Sequence, residues 1–127
     1  MATVHREPNQ VKWIGVRPGH NGEQILINID TAVTAVIYTV PADKLLFIFN
    51  YSYSCASNAA AWAFVQLRNA LDVVYYTLGQ SASSAGACAP VVSANLWVPI
   101  EVPAGYDLYL TTAGTSRGGI HGILIDV

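Results

Sequence analysis

The chain has 127 residues, the size of one ordinary domain, and only 11% of them are charged against 53% hydrophobic. That balance excludes a disordered chain, which stays open through low hydrophobicity and high net charge, and a coiled coil, whose outer faces need Glu, Lys and Arg. A net charge of -2 leaves no basic footprint for nucleic acid. A small domain normally keeps its large wet surface charged. Here Ser, Thr, Asn, Ala, Gly and Tyr must cover it, which suits faces buried against copies of itself or another protein.

The first dozen residues are polar and include Pro8, and residues 1–12 are read as an N-terminal arm ahead of a single domain at 13–127. Such a stretch is either a frayed end or an arm lying on a neighbouring subunit through Arg6, Glu7 and Lys12. His5, Arg6, Glu7 and Lys12 stand where a secretion signal would need an apolar run, so a product made in the cytoplasm is expected. No membrane partner is expected either. The longest apolar region, Ala32 to Phe49, is broken by Pro41, Asp43 and Lys44.

Period-2 alternation dominates from there on. Strands are predicted at Val11 to Val16, Gln24 to Asp30 and Val33 to Val40, with a Pro/Gly loop at Arg17 to Gly22. Leu45 to Ser54 is the strongest strand, with Phe47, Phe49, Tyr51 and Tyr53 on one face and Leu46, Ile48, Asn50 and Ser52 on the other. Ala61 to Arg68 alternates Trp62, Phe64, Gln66 and Arg68 against Ala63, Val65 and Leu67, which outweighs a helical reading of its alanines. A tight reversal at Asn69-Ala70 leads into Leu71 to Leu78. After the small-residue loop Gly79 to Ala89, further strands are predicted at Val91 to Val102 with a break, Tyr106 to Thr112 and Gly119 to Val127. Gly114 to Gly119 reads as a plain hairpin turn, favoured over a loop holding an anion on its backbone N–H groups beside Arg117, since no helix follows and no phosphate-loop lysine is present.

One internal echo narrows the architecture. Val40-Pro41-Ala42-Asp43-Lys44 precedes Leu46-Phe47-Ile48, and Val102-Pro103-Ala104-Gly105-Tyr106 precedes Leu108-Tyr109-Leu110 at the same spacing. Each reads as a turn with Pro at its second position, opening a strand. Two matching corners among about eight or nine antiparallel strands predict an all-β, jelly-roll-like β-sandwich.

Candidate chemistry is sparse. His5, His20 and His121 show no metal-ligand spacing, and His20 with Glu23 reads as a solvated loop pair. No nucleophile elbow is present, and the carboxylates are spread singly. Neither an enzyme nor any cofactor or metal is expected. Cys55 and Cys88 make no secreted framework; separate buried thiols are favoured over one bridge between them.

The arm, the Trp13 to Gln24 stretch (WIGVRPGHNGEQ) and the two Val-Pro-Ala corners together resemble small jelly-roll structural proteins of tailed bacteriophages. The group includes head decoration, or cement, proteins. The resemblance implies a virion component on the capsid surface, a homotrimer bound to the major capsid protein and stabilising its lattice, with no catalytic residues. The expected contacts are His5, Arg6, Glu7, Lys12, Arg17 and Arg117. The competing readings are a glycan-binding tip of a tail fibre and another tail or neck component.

Overall fold

The computed structural model describes residues 22–56, 60–83 and 91–127. The strands are β1 (Glu23–Thr31), β2 (Ala35–Thr39), β3 (Lys44–Ala56), β4 (Ala61–Arg68), β5 (Val74–Thr77), β6 (Ser81–Ser83), β7 (Val92–Val102), β8 (Asp107–Ala113) and β9 (Thr115–Asp126). They form two antiparallel sheets, one in the order β1-β9-β3-β7 and the other β2-β8-β4-β5, with β6 also paired to β4. First pairs with last, and so inward: β1 with β9, β2 with β8, β3 with β7, and β4 with β5 and β6. A long antiparallel ribbon rolled upon itself in this way is a jelly roll.

The rolling explains the repeated corners. The Val40–Lys44 corner leaves β2 on one arm of the ribbon, and the Val102–Tyr106 corner leaves β7 at the matching place on the other. The two are bonded to each other, Val40 N–H donating to the Tyr106 carbonyl at 3.0 Å and Gly105 N–H to the Val40 carbonyl at 2.9 Å. Each corner closes alike, Lys44 N–H on the Pro41 carbonyl and Tyr106 N–H on the Pro103 carbonyl, both at 3.2 Å. Proline is therefore the first residue of each turn and not the second. The third residue takes positive φ, 62° at Asp43 and 79° at Gly105, and glycine adopts that conformation with less steric cost.

The core lies between the sheets. Strand β4 alternates strictly, with Ala61, Ala63, Val65 and Leu67 buried. They meet Leu108 and Leu110 of β8 and, from the facing sheet, Ile27, Ile29, Leu46, Ile48, Val102, Ile120 and Leu124. These are the inward positions of a period-2 pattern, and their burial drives the closure of the sandwich.

Four local expectations are corrected. The faces of β3 do not hold along its length, because the register with both β7 and β9 slips between Ile48 and Asn50. Phe49 is the extra residue, so Leu46 and Ile48 face the core before the bulge, and Tyr53 and Cys55 after it. The predicted hairpin turn at Gly114 to Gly119 is strand from Thr115 onward. The chain crosses between sheets at Gly114, where Thr112 Oγ1 donates to the Gly114 carbonyl at 2.8 Å and lies 2.7 Å from Ser116 Oγ. Gly118 has φ of 147°, and a Cβ there would press on the Ser52 carbonyl and lie 2.6 Å from Tyr53 Cα. Glycine is what lets β9 run this close to β3.

The reversal after β4 is wider than two residues. Asn69 N–H donates to the Val73 carbonyl, and Asn69 Oδ1 accepts from the N–H groups of Leu71 and Val73 at 2.8 and 3.1 Å. The small-residue stretch after Gly79 is not wholly loop, since β5 and β6 lie in line beside β4 with a break at Leu78–Gln80. Leu78 N–H still reaches the Val65 carbonyl across that break.

Candidate binding face

Arg117 is the one predicted contact residue within the described segments. It stands on the outer face of the four-stranded sheet, with Nε 3.4 Å from Asp30 Oδ1 and both side chains exposed. His5, Arg6, Glu7, Lys12 and Arg17 lie outside the described residues, as does Cys88. Cys55 is a free, buried thiol with Sγ 3.6 Å from the Ser81 carbonyl.

The register arranges this outer face in rows. The first row runs Leu26, His121, Asn50, Asn95 across β1, β9, β3 and β7. The next is Asn28, Gly119, Ser52, Ser93, and beyond it sit Asp30, Arg117 and Ser54. Directly opposed residues share a face, so these are neighbours. Asn50 Nδ2 lies 3.4 Å from His121 Nδ1, while the buried His121 Nε2 has no hydrogen-bond partner among the described residues. In the other direction along the sheet the same face turns apolar, and Leu45, Phe47 and Ile123 are buried outside the core cluster.

At the edge of this face β7 departs from regular pairing. Asn50 pairs with Asn95 and Ile48 with Ile100, so four residues of β7, Leu96 to Pro99, oppose the single Phe49 of β3. The excess chain is pushed outward. Leu96 packs against the core, Pro99 is buried, and Trp97 is left 94% exposed with Val98 beside it. Asn95, Leu96 and Trp97 line an open hollow of about 220 Å³. No sequence argument singled out Trp97. The signal present was the broken alternation at Leu96-Trp97-Val98-Pro99, where a Trp displaced from a strand's inward rhythm has to project.

A second exposed surface lies at the end where the corners meet. Leu71, at 82% exposed, is followed by exposed Val73, Val74, Tyr75 and Tyr76. Tyr75 packs edge-on against Tyr106 with centroids 5.5 Å apart. Partial burial, then the neighbouring Tyr106 and Glu101, push its phenol up to about 12. Close by, Arg68 lies 3.9 Å over the Tyr109 ring and pairs with Asp72 at 3.5 Å and Asp107 at 3.6 Å. Thr39 Oγ1 donates to Asp107 at 2.7 Å. The cluster ties β2, β8 and β4 together at this end of the sheet, with Arg68 Nε left unpartnered among the described residues.

Among the described residues, no three His, Cys, Asp or Glu side chains gather as a metal site requires. Fold and surface together define a jelly-roll domain whose distinctive features are exposed aromatic and apolar surfaces. No family model matches the chain, and no curated protein matches it. Among solved structures, Eiger TNF from S. frugiperda is similar at 11% identity over 84% of this chain and 85% of that one, with a TM-score of 0.33.

Proposed function

We propose that the chain is a non-enzymatic virion structural protein of the capsid-decoration type, seated on a protein lattice by the apolar end of its sandwich. The observation that carries this reading is the run Leu71, Val73, Val74, Tyr75 and Tyr76, exposed together in a chain with 11% charged residues. A run of exposed apolar residues of this kind fits a protein contact. Fully burying a Val or Leu side chain is worth about 1.5–3 kcal/mol, so a few such residues give a modest contact. Repetition over a symmetric shell multiplies it. Binding the closed shell and not the loosened one then turns that free energy into shell stability.

The test is co-sedimentation of the purified protein with undecorated capsids, beside a Leu71→Ser/Val73→Ser variant. Stoichiometric pelleting by the native chain, reduced at least tenfold in the variant, is the expected result. Native protein that stays in the supernatant at saturating capsid removes the reading. Equal pelleting of the two proteins removes this surface from it.

A further inference from the structure

We infer that the hollow beside Trp97 and Asn95, at the β7 end of the row Asn95–Asn50–His121, is a binding site for a neutral pyranose sugar. The inference stands apart from the decoration reading, because this row lies on the outer face of the other sheet and is polar where the decoration surface is apolar. Three observations converge on it.

The first is Trp97 itself. Its indole is 94% exposed, although the chain turns the Leu96 next to it inward. An indole held in water by a strand bulge is a large rigid plate with an apolar face and one N–H donor. The C–H face of a pyranose ring stacks on such a plate, with little rotamer freedom lost because indole has only two side-chain torsions.

The second is the hollow beside it. Its volume of about 220 Å³ is smaller than a drug-sized pocket of about 300–1,000 Å³ and has room for a single ring. One wall is the indole and another is Asn95, an exposed amide.

The third is the chemistry of the row. An amide offers both donors and an acceptor, and a sugar hydroxyl is also both, so Asn95 and Asn50 match hydroxyls in either sense. Asn50 is already set by its approach to His121. Among the described residues the buried His121 Nε2 has no partner, an arrangement that is costly unless a bridging water completes it. No Asp, Glu, Lys or Arg stands in the row. Asp30 and Arg117, two rows away on one side, satisfy each other, and Glu101 stands one row away on the other side, opposite Phe47. The Glu101 carboxylate repels anions, so the site favours a neutral sugar over a phosphate or a sialic acid.

The test uses the full chain and three probes: methyl glucoside, methyl galactoside and methyl N-acetylglucosaminide, together with an array of neutral oligosaccharides. Indole N–H resonances are followed by NMR during titration. The expected result is saturable movement of the Trp97 indole with one probe family. Trp97→Ala and Asn95→Ala should each weaken that binding at least tenfold, while Arg117→Ala leaves it unchanged. Trp97 is outside the core, so its variant should retain the native spectrum elsewhere. No glycan bound above background, or binding that survives Trp97→Ala, overturns the proposal. So does movement of the Trp97 resonance with protein concentration alone, which would assign the indole to a contact between copies.

Discussion

Replacing Tyr53 by Phe tests whether one buried hydroxyl holds the broken edge of the second sheet. Tyr53 is 1% exposed on β3, stacks on Tyr51 with centroids 5.8 Å apart, and donates its hydroxyl to the Gly79 carbonyl. Gly79 lies in the break between β5 and β6 and packs so close to Val92 that a Cβ there would come within 2.5 Å of its Cγ1. The variant keeps the ring and deletes the donor, leaving a carbonyl unpaired. The expected loss is about 1–2 kcal/mol at pH 8, or roughly 3–8 °C in Tm for a domain of this size.

The same group gives a pH signature. Burial pushes the Tyr53 phenol well above its ordinary value of 10. Below pH 10 the tyrosine is protonated in both states and its full contribution is present. Above pH 10 the unfolded chain ionises while folded Tyr53 does not, so stability is lost at up to about 1.4 kcal/mol per pH unit. Phe carries no such dependence. Urea unfolding of both proteins from pH 8 to pH 11.5 should show the gap between them narrowing with pH; the contribution of Tyr75 is common to both and cancels. An offset that stays constant with pH, or is absent at pH 8, would refute the reasoning.

Two further perturbations address the backbone. At the paired corners, Asp43→Gly should stabilise and Gly105→Ala destabilise, each by about 1 kcal/mol, because both positions have left-handed φ and only the side-chain cost differs. Thermal unfolding checks the signs, and shifts in the same direction would contradict the shared geometry. Gly118→Ala combines positive φ with a clash against β3 backbone and should cost at least about 2 kcal/mol. An unchanged urea midpoint would mean that β9 can move off β3 without penalty.

Much of the sandwich was legible in the residues, for reasons that also mark where legibility stopped. Strand β4 was read to the residue because its inward positions are small or aliphatic and its outward ones are not. The two Val-Pro-Ala corners were visible as a repeat, and their mutual hydrogen bonds follow from equivalent places on a rolled ribbon. In β3 both faces are apolar before Phe49, so alternation there carries no phase against the clear Tyr51–Tyr53–Cys55 and Asn50–Ser52–Ser54 alternation after it, and the slip is set by the partner strands. Gly118 and Gly119 looked like a turn because local glycine content cannot distinguish freedom to bend from room for a neighbouring strand. Arg117 stood out by its charge in a chain with few, and the structure places it exposed beside Asp30. Trp97 was missed because its exposure arises from four residues of β7 opposing one of β3, a count that neither strand contains alone.

The tied corners also bring the two extremities of the sandwich together. Glu23 pairs with Leu124, Val127 N–H donates to the Asp43 carbonyl at 3.1 Å, and Lys44 pairs with Asp126 beside them. The turn Ala32–Thr34 lies at the far end of the molecule. A circular permutant opened between Ala32 and Val33 would break no pairing among the described strands. It would present new chain ends on the pole opposite the corners. Cargo fused there would project away from the exposed Leu71–Tyr76 surface, at the opposite pole of the molecule.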